Sequence, residues 1–539
     1  MKDTLEADIN KGKTYLGIEF GSTRIKSVLI DSHHNIIASG SHDWENCIID
    51  DVWTYNLSDV WIGLRDCYSK LQEEVYKLYG MTVSKIGAIG ISAMMHGYLV
   101  FDDKGKQLAP FRTWRNTMTE EAAGLLTKRL KFNIPQRWSI AHLYHSMLNK
   151  EPHVKDIGFM TTLAGYVHWR LTGEKTLGIG DAAGMFPVDE TLNNYNPWML
   201  NEFNEIILSM GYRWKLESIL PRVQVAGEKA GTLTFEGVKL FGTTTSLQVG
   251  IPFCPPEGDA GTGMTATNSV KRCTGNVSAG TSIFAMVVLE KKLSKAYTEV
   301  DMVATPTGKP VAMVHCNNCM GDVDAWIRFF NEIIELIGTK IEKNELYIAL
   351  YNKALEGDID CGGLLSYNYY SGEPITGLKK GCPLFVRNAV SRFTLANFMR
   401  MLLFGTLATL KLGMDILTEK EKVCIKELLG HGGLFKVKGV GQRLMAAALN
   451  APVTVMESAG EGGAWGIALL AAYMAYTHTK EDGANKTLEC YLEQNVFVDI
   501  KGVRMFPNAN DARGFAEFMN RYTNGLVVEK SAVENFIYA

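Results

Sequence analysis

Thr14-Tyr-Leu-Gly-Ile-Glu-Phe-Gly-Ser-Thr-Arg-Ile-Lys-Ser-Val-Leu-Ile-Asp31 decides the fold. Thr14 to Phe20 is a β-rich run, Gly21-Ser22-Thr23 supplies turn chemistry, and Ile25 to Ile30 returns as a second strand. A third strand over 35–39 follows the Ser32-His33-His34 turn. Residues 58–79 read as a helix, because Val60, Trp61, Leu64, Tyr68, Leu71, Val75 and Leu78 recur at spacings of three and four. The short apolar run over 85–92 fits a buried parallel strand. The order is βββαβ, an α/β arrangement.

The same start recurs in the second half. Asn276 to Ser282 leads through Gly280-Thr281-Ser282 into the apolar run 283–289, and an amphipathic helix over 323–337 comes later. Two such starts predict two homologous domains, 14–268 and 269–539. A length of 539 residues agrees, since a single core stops growing beyond ~250–300 residues. The Pro- and Gly-rich stretch 252–263 reads as the crossing between them. No long linker is evident, so the domains should face each other across a cleft.

Composition excludes several classes. Lys+Arg number 55 against 58 Asp+Glu, a net charge of −3, which lacks the basic footprint of a nucleic-acid binder. Residues 1–13 mix Asp, Glu and Lys and predict no secretory signal. The longest purely apolar run, Ile467 to Tyr476, is short of the ~20 residues of a membrane span. The ten cysteines are scattered, unlike a disulfide scaffold, and Cys316-Asn-Asn-Cys319 lacks a second ligand pair for zinc. A soluble, cytoplasmic setting with no membrane and no nucleic acid is expected.

The 52 glycines cluster where ligands would approach. The Gly21-Ser22-Thr23 and Gly280-Thr281-Ser282 turns each read alone as a plain hairpin, but as a pair they suggest phosphate-binding concavities. Glu19 precedes the first turn, where a carboxylate could hold a hydrated Mg²⁺, and Lys26 on the returning strand offers a cation. Two further Gly turns, Gly430-His431-Gly432-Gly433 and Gly460-Glu461-Gly462-Gly463, lead into helices at 439–450 and 464–476. Neither is a P-loop nor a G-x-G-x-x-G after a first strand, so NAD is disfavoured. Asp259, between glycines at the crossing, could take a hydroxyl proton as oxygen attacks phosphorus; an Asx-type turn is the blander reading. Met95-His96 ends the strand over 86–92, at the end where α/β ligands gather, Trp114-Arg115-Asn116 follows a presumed second strand, and Asp181 to Gly184 is a further polar turn.

Taken in order, GIEFGSTRIK, MMHG, TWRN, LTGE…GDAAG, GDAGTG, SAGTS, SYNYYSGEP and GHGG…ESAGEGGAWG resemble the FGGY carbohydrate kinases, in register from about Thr14 to Tyr476. The resemblance implies two ribonuclease-H-like, actin-like domains with a catalytic cleft between them, and transfer of the ATP γ-phosphate to a sugar hydroxyl with Mg²⁺. By resemblance Asp259 falls on the family's catalytic base, Gly21, Ser22 and Thr23 on the first phosphate loop, and Gly280 and Thr281 on the second. Lys26 stands where the family has Arg or Lys. Gly432, Gly433, Gly460, Glu461 and Gly462 match the adenosine-binding region. Met95 and His96 match the sugar-contacting pair, with Trp114 and Asn116 next to it, and the MHG triplet looks like the xylulokinase branch. Family members are often homodimers, and the partner implied is a small-molecule sugar.

The departures mark a divergent subgroup. Glu19 replaces the usual Asp, Asn116 a common Asp, and His431 a Gly, and the Lys-Leu-x-Trp signature is missing near Ala141 to Leu148. The expected activity is phosphorylation of a free ketose, D-xylulose or L-ribulose. The alternatives are another polyol or ketose such as a deoxyketohexose, and a non-catalytic actin-like ATP-binding module.

Overall fold

A computed structural model describes residues 2–242, 245–456, 462–479, 483–498 and 502–536. Strands β1 (Tyr15–Phe20), β2 (Arg24–Ile30), β3 (Ile36–Asp43), β4 (Ala88–Ala93) and β5 (Glu257–Gly258) form one sheet, in the order β5-β4-β1-β2-β3. The β1-β2 and β2-β3 pairs are antiparallel, whereas β4 joins β1, and β5 joins β4, in parallel. A second sheet contains β6 (Thr274–Ala279), β7 (Ile283–Val288), β8 (Asp301–Ala304), β9 (Pro310–Cys316), β10 (Glu427–His431), β11 (Val453–Met456) and β12 (Gly502–Met505). Its order is β8-β9-β7-β6-β10-β11-β12. Without the edge strands β8 and β12, the order β9-β7-β6-β10-β11 repeats β3-β2-β1-β4-β5, with the same strand directions. The repeated sequence start is therefore a repeated topology, that of two actin-like domains.

Local sequence explains the first sheet. β4 is buried at every position because both of its faces are covered. Helix α1 (Leu57–Tyr79) buries Val60, Leu64, Tyr68, Leu71 and Val75, and Gly80 stops it in the left-handed region at φ 67°, donating its N–H to the Tyr76 carbonyl.

Five further helices position the site: α2 (Asp259–Ala266), α3 (Gly321–Leu336), α4 (Leu395–Asp415), α5 (Val440–Leu449) and α6 (Gly462–Thr479). Helix α6 follows a strand of the second sheet yet packs on β1, β4 and α2 of the first. Glycine makes this contact possible. A methyl group at Gly17 of β1 would run into the Ala464 carbonyl, and one at Gly466 into the Thr262 carbonyl of α2. With Gly463 to Met474 all buried, α6 is apolar on every side, as expected of a helix enclosed by protein.

Several expectations need correction. Between β3 and α1 lies an extra hairpin, Cys47–Ile49 with Val52–Thr54, so the βββαβ order is interrupted. The stretch 252–263 is not a bare crossing. Phe253 bridges to Ile89, Glu257–Gly258 completes the first sheet as β5, and Asp259 opens helix α2 rather than a turn. The strand ahead of Trp114 is the short Leu99–Phe101, paired with Phe159–Thr161, and between it and Trp114 only isolated bridges, Phe101 with Gln107 and Tyr98 with Arg112, are formed among the described residues. The segment Leu395–Lys420 is long and apolar enough to cross a membrane, although 78% of its most apolar window is buried inside the protein. Searching for unbroken apolar runs overlooks it, because Asn397, Arg400, Thr406 and Thr409 interrupt the run while being buried themselves.

Candidate active site

Asp259 is the first residue of α2, at the helix end where the backbone dipole favours an anion. Its Oδ1 accepts the N–H of Met95 at 3.2 Å, which ties the end of β4 to α2. The residue reaches solvent, yet enough protein surrounds the carboxyl to desolvate it. That desolvation raises its carboxyl above the ordinary aspartate value, opposed by the Met95 N–H and the charge of Arg137.

Glu19 lies beside it. On β1 it faces Lys26 in register across to β2 and Ser92 across to β4. Its Oε2 accepts the N–H of Ala464 in the first turn of α6 at 3.2 Å. Burial and the neighbouring Asp259 raise the Glu19 carboxyl to about 7, against the lowering pull of Lys26. Two carboxylates that repel each other next to a phosphate turn are what a divalent cation would relieve. Among the described residues no group of three or more His, Cys, Asp or Glu could hold a metal. The chain's own donors therefore suit an ion held largely by water and phosphate.

The first Gly turn is fixed by aromatics. Trp44 Nε1 donates to the Gly21 carbonyl at 2.7 Å and the Tyr55 hydroxyl to the Ser22 carbonyl at 2.6 Å, with the two rings stacked 4.4 Å apart. Trp114 Nε1 reaches Ser22 Oγ at 3.2 Å, so the TWRN motif meets this turn directly. The second turn is buttressed by the Cys316–Cys319 segment. Cys319 N–H bonds the Thr281 carbonyl at 2.9 Å and Met320 N–H the Gly280 carbonyl at 3.0 Å. Both thiols are buried and pushed well up. Among the described residues, the N–H groups of Ser22, Thr23, Thr281 and Ser282 have no partner in the protein, so both turns present free donors of the kind phosphate uses.

The two later Gly turns go to different places. Gly432, at φ 103°, would collide through any Cβ with the Ala279 carbonyl, so it and Gly433 close onto the second turn. Gly462 opens α6, and the next residue, Gly463, abuts Glu19 of the first sheet. Gly460 and Glu461 lie outside the described residues.

Just past the end of β4, Met95 and His96 are buried. His96 stands at φ 67°, a conformation non-glycine residues seldom adopt, and its Nδ1 lies 3.1 Å from the Gly184 carbonyl. A carbonyl only accepts, so Nδ1 carries the proton. Burial and nearby Arg137 push the imidazole down to about 3, so the ring is neutral and Nε2 is an acceptor. Asn116 is also buried, but its amide is engaged elsewhere: it accepts the Trp53 N–H at 2.9 Å and donates to the Trp53 carbonyl at 2.8 Å, gripping the extra hairpin.

Arg137 and Glu257 have no motif of their own in the sequence, and Asp181 stands there only as part of a polar turn. Arg137 forms an ion pair with Asp301 of β8, linking the first half of the chain to the second sheet near Asp259. Glu257 and Asp181 are fully enclosed, with carboxyls raised by burial to about 8 and about 7. The one signal for Glu257 was its place directly before Gly258-Asp259. A cavity of about 380 Å³ lined by Thr54, Tyr55 and residues 107–111 adjoins the hairpin, and none of Asp259, Glu19, Met95 or His96 lines it.

Comparison with known proteins agrees with this arrangement. The N-terminal domain of the FGGY family of carbohydrate kinases matches residues 14–264 and its C-terminal domain residues 275–475. A xylulose kinase of Haemophilus influenzae is 20% identical over 534 residues, 95% of this chain and 99% of its own. Ligand-bound xylulose kinase from Lactobacillus acidophilus shares the fold with a TM-score of 0.75 at 16% identity, covering 97% of this chain and 99% of that one. Plasmodium falciparum glycerol kinase with ADP shares it with a TM-score of 0.73 at 15% identity, covering 98% of each. With both family domains matched in order along most of its length, the chain belongs to the FGGY family of carbohydrate kinases and is an ATP-dependent sugar phosphotransferase.

Proposed function

We propose that the acceptor is a free ketose, D-xylulose or L-ribulose, and that Asp259 takes the proton of the attacking hydroxyl. The observation that carries this reading is the Asp259–Met95 hydrogen bond, which sets the base next to the buried, acceptor-presenting His96. A neutral Nε2 suits a hydroxyl donor, and an uncharged ketose offers only hydroxyls and a carbonyl. The full-length similarity to a xylulose kinase supports the ketose. The test is a panel of ketoses, glycerol and gluconate with ATP and Mg²⁺, scored by kcat/KM. A ketopentose should lead. Preference for glycerol or gluconate would overturn the substrate, and ATP turnover indifferent to every sugar would overturn the kinase reading in favour of a nucleotide-driven module.

In this reading Ser22, Thr23, Thr281 and Ser282 hold the ATP phosphates, with Gly21, Gly280 and Lys26 shaping that site. Gly432 and Gly433, together with Gly460 to Gly462, flank the nucleoside, and Trp114 and Asn116 support the sugar side. Mg²⁺, when bound, neutralises charge on the transferring phosphate. Glu19 would hold the ion through one of its waters. Because burial lifts the Glu19 carboxyl to about 7, its contribution grows as pH rises through neutrality. Glu19→Gln should raise the Mg²⁺ concentration for half-maximal rate by about 10–100-fold. A Mg²⁺ titration of initial rates checks this, and an unchanged midpoint would remove Glu19 from the metal. We place the enzyme in the cytoplasm, where ATP and free sugars are both available.

A further inference from the structure

Hydrogen bonds behind the proposed base close into a circuit. Glu257, 1% exposed on β5, accepts the N–H of Gly180 at 3.2 Å and that of Asp181 at 3.0 Å. One residue on, Gly258 pairs with Ala93 of β4; one further, Asp259 accepts the Met95 N–H. His96 then donates to the Gly184 carbonyl, and Gly184 N–H returns to the Asp181 carbonyl at 2.9 Å. The path from Glu257 through Asp259, Met95, His96 and Gly184 back to Asp181 has no gap. Its interior is shaped for the carboxyl. A Cβ at Gly178 or Gly180 would strike Glu257, and one at Gly184 would strike Met95 and His96.

We propose that Glu257 is a positioning residue that holds Asp259 and His96 as one rigid unit, so that the proton acceptor and the sugar-reading imidazole keep a fixed separation. This rests on the roles given above to Asp259 and His96. Stability does not account for the residue. Among the described residues Glu257 has no cationic partner, and the charged group that acts on it is the acid Asp181. Burying a carboxyl without a counter-charge is unfavourable, and satisfying two backbone N–H groups offsets only part of that cost. What the carboxyl adds is two directed acceptors, one for each of two successive N–H groups. Asp181 reinforces the same wall. Its Oδ2 accepts the Thr162 hydroxyl at 2.6 Å, and its Oδ1, without a partner, lies against Gly258.

The test compares full-length wild type with Glu257→Ala, Glu257→Gln and Gly180→Ala. A displacement of about 1 Å at a reacting group lowers turnover by about 100-fold. Glu257→Ala should therefore lose about that much in sugar kcat/KM, with ADP affinity kept within about twofold, and Glu257→Gln, which keeps one acceptor oxygen, should lie between. Gly180→Ala presses the same carboxyl from the opposite side and serves if Glu257→Ala does not fold. A readout independent of substrate is the ¹⁵N-histidine spectrum of the ligand-free protein. His96 should be a single Nδ1–H tautomer in wild type and a mixture in both alanine variants. The tautomer shift without any sugar-dependent turnover in wild type would sink the kinase reading and leave the circuit standing. Unchanged His96 signals with sugar kcat/KM near wild type, or parallel loss of ADP binding and sugar kinetics, would overturn the positioning role.

Discussion

Replacing Asp259 by Ala is expected to lower sugar-dependent ADP release by about a thousandfold, the middle of the range for a general base, while ADP binding survives. The separation follows from the fold. Asp259 belongs to β5-α2 of the first domain, whereas the second Gly turn and Gly432 close on each other in the second domain, so the variant leaves that nucleotide side intact. Asp259→Asn sharpens the test. It can still accept the Met95 N–H but cannot take a proton, so it should be nearly as slow as the alanine variant. Since desolvation raises the Asp259 carboxyl, activity should fall on the acid side at a pH above the ordinary aspartate range. Rapid quench of sugar phosphate formation is the direct measurement. A rate near wild type in either variant would remove Asp259 from the reaction.

Asp511→Ala is expected to destabilise the second domain by about 3–5 kcal/mol, the usual consequence of stranding a buried charge. Asp511 accepts from Arg400 Nη2 and Arg443 Nε, each at 2.5 Å, and Arg400 and Asp511 are almost wholly enclosed. The three residues fasten α4 and α5 to the C-terminal helix Ala509–Asn535. Burial alone would push the Asp511 carboxyl up, but the two guanidinium groups outweigh it and leave it below its ordinary value. A depressed folded-state value means stability that is present above the unfolded value of about 4 and lost as pH falls through the lower folded one. Urea titrations from pH 7 down to pH 3 should show wild type converging on the variant at the acid end. A difference below about 1 kcal/mol at pH 7, typical of an exposed pair, would refute the argument.

The sequence made the scaffold legible where signals are local. Both strand-turn-strand starts, the 3.6-residue period of α1 and the α3 and α5 helices are found where the pattern places them. The hairpin at 47–54 escaped because its turn uses Asp50 and Asp51 at φ 48° and 62°, without the glycine that normally flags such a turn. With it went the reason for Asn116, whose amide serves the backbone of that hairpin. The site was legible as far as residue types in order can carry it. Turns rich in Gly and Ser/Thr, and an Asp between glycines, announce themselves in one dimension. Arg137 and Glu257 do not, and Asp181 shows only as one residue of a polar turn, because their importance comes from enclosure and from partners distant in sequence, such as Asp301 for Arg137. Helix α4 shows the same limit: Arg400 breaks its apolar run, and only Asp511, far along the chain, explains why it can be buried.

The seating of α6 on the first sheet has a consequence for synthesis. β1, β4 and α2 are complete once residue 266 has been made, but the helix that covers them begins at Gly462. At about 5–20 residues per second, translation leaves that apolar surface uncovered for roughly ten to forty seconds. Until then the first half of the chain carries an uncovered apolar surface, and a gene fragment ending between the two domains encodes a sheet without its lid.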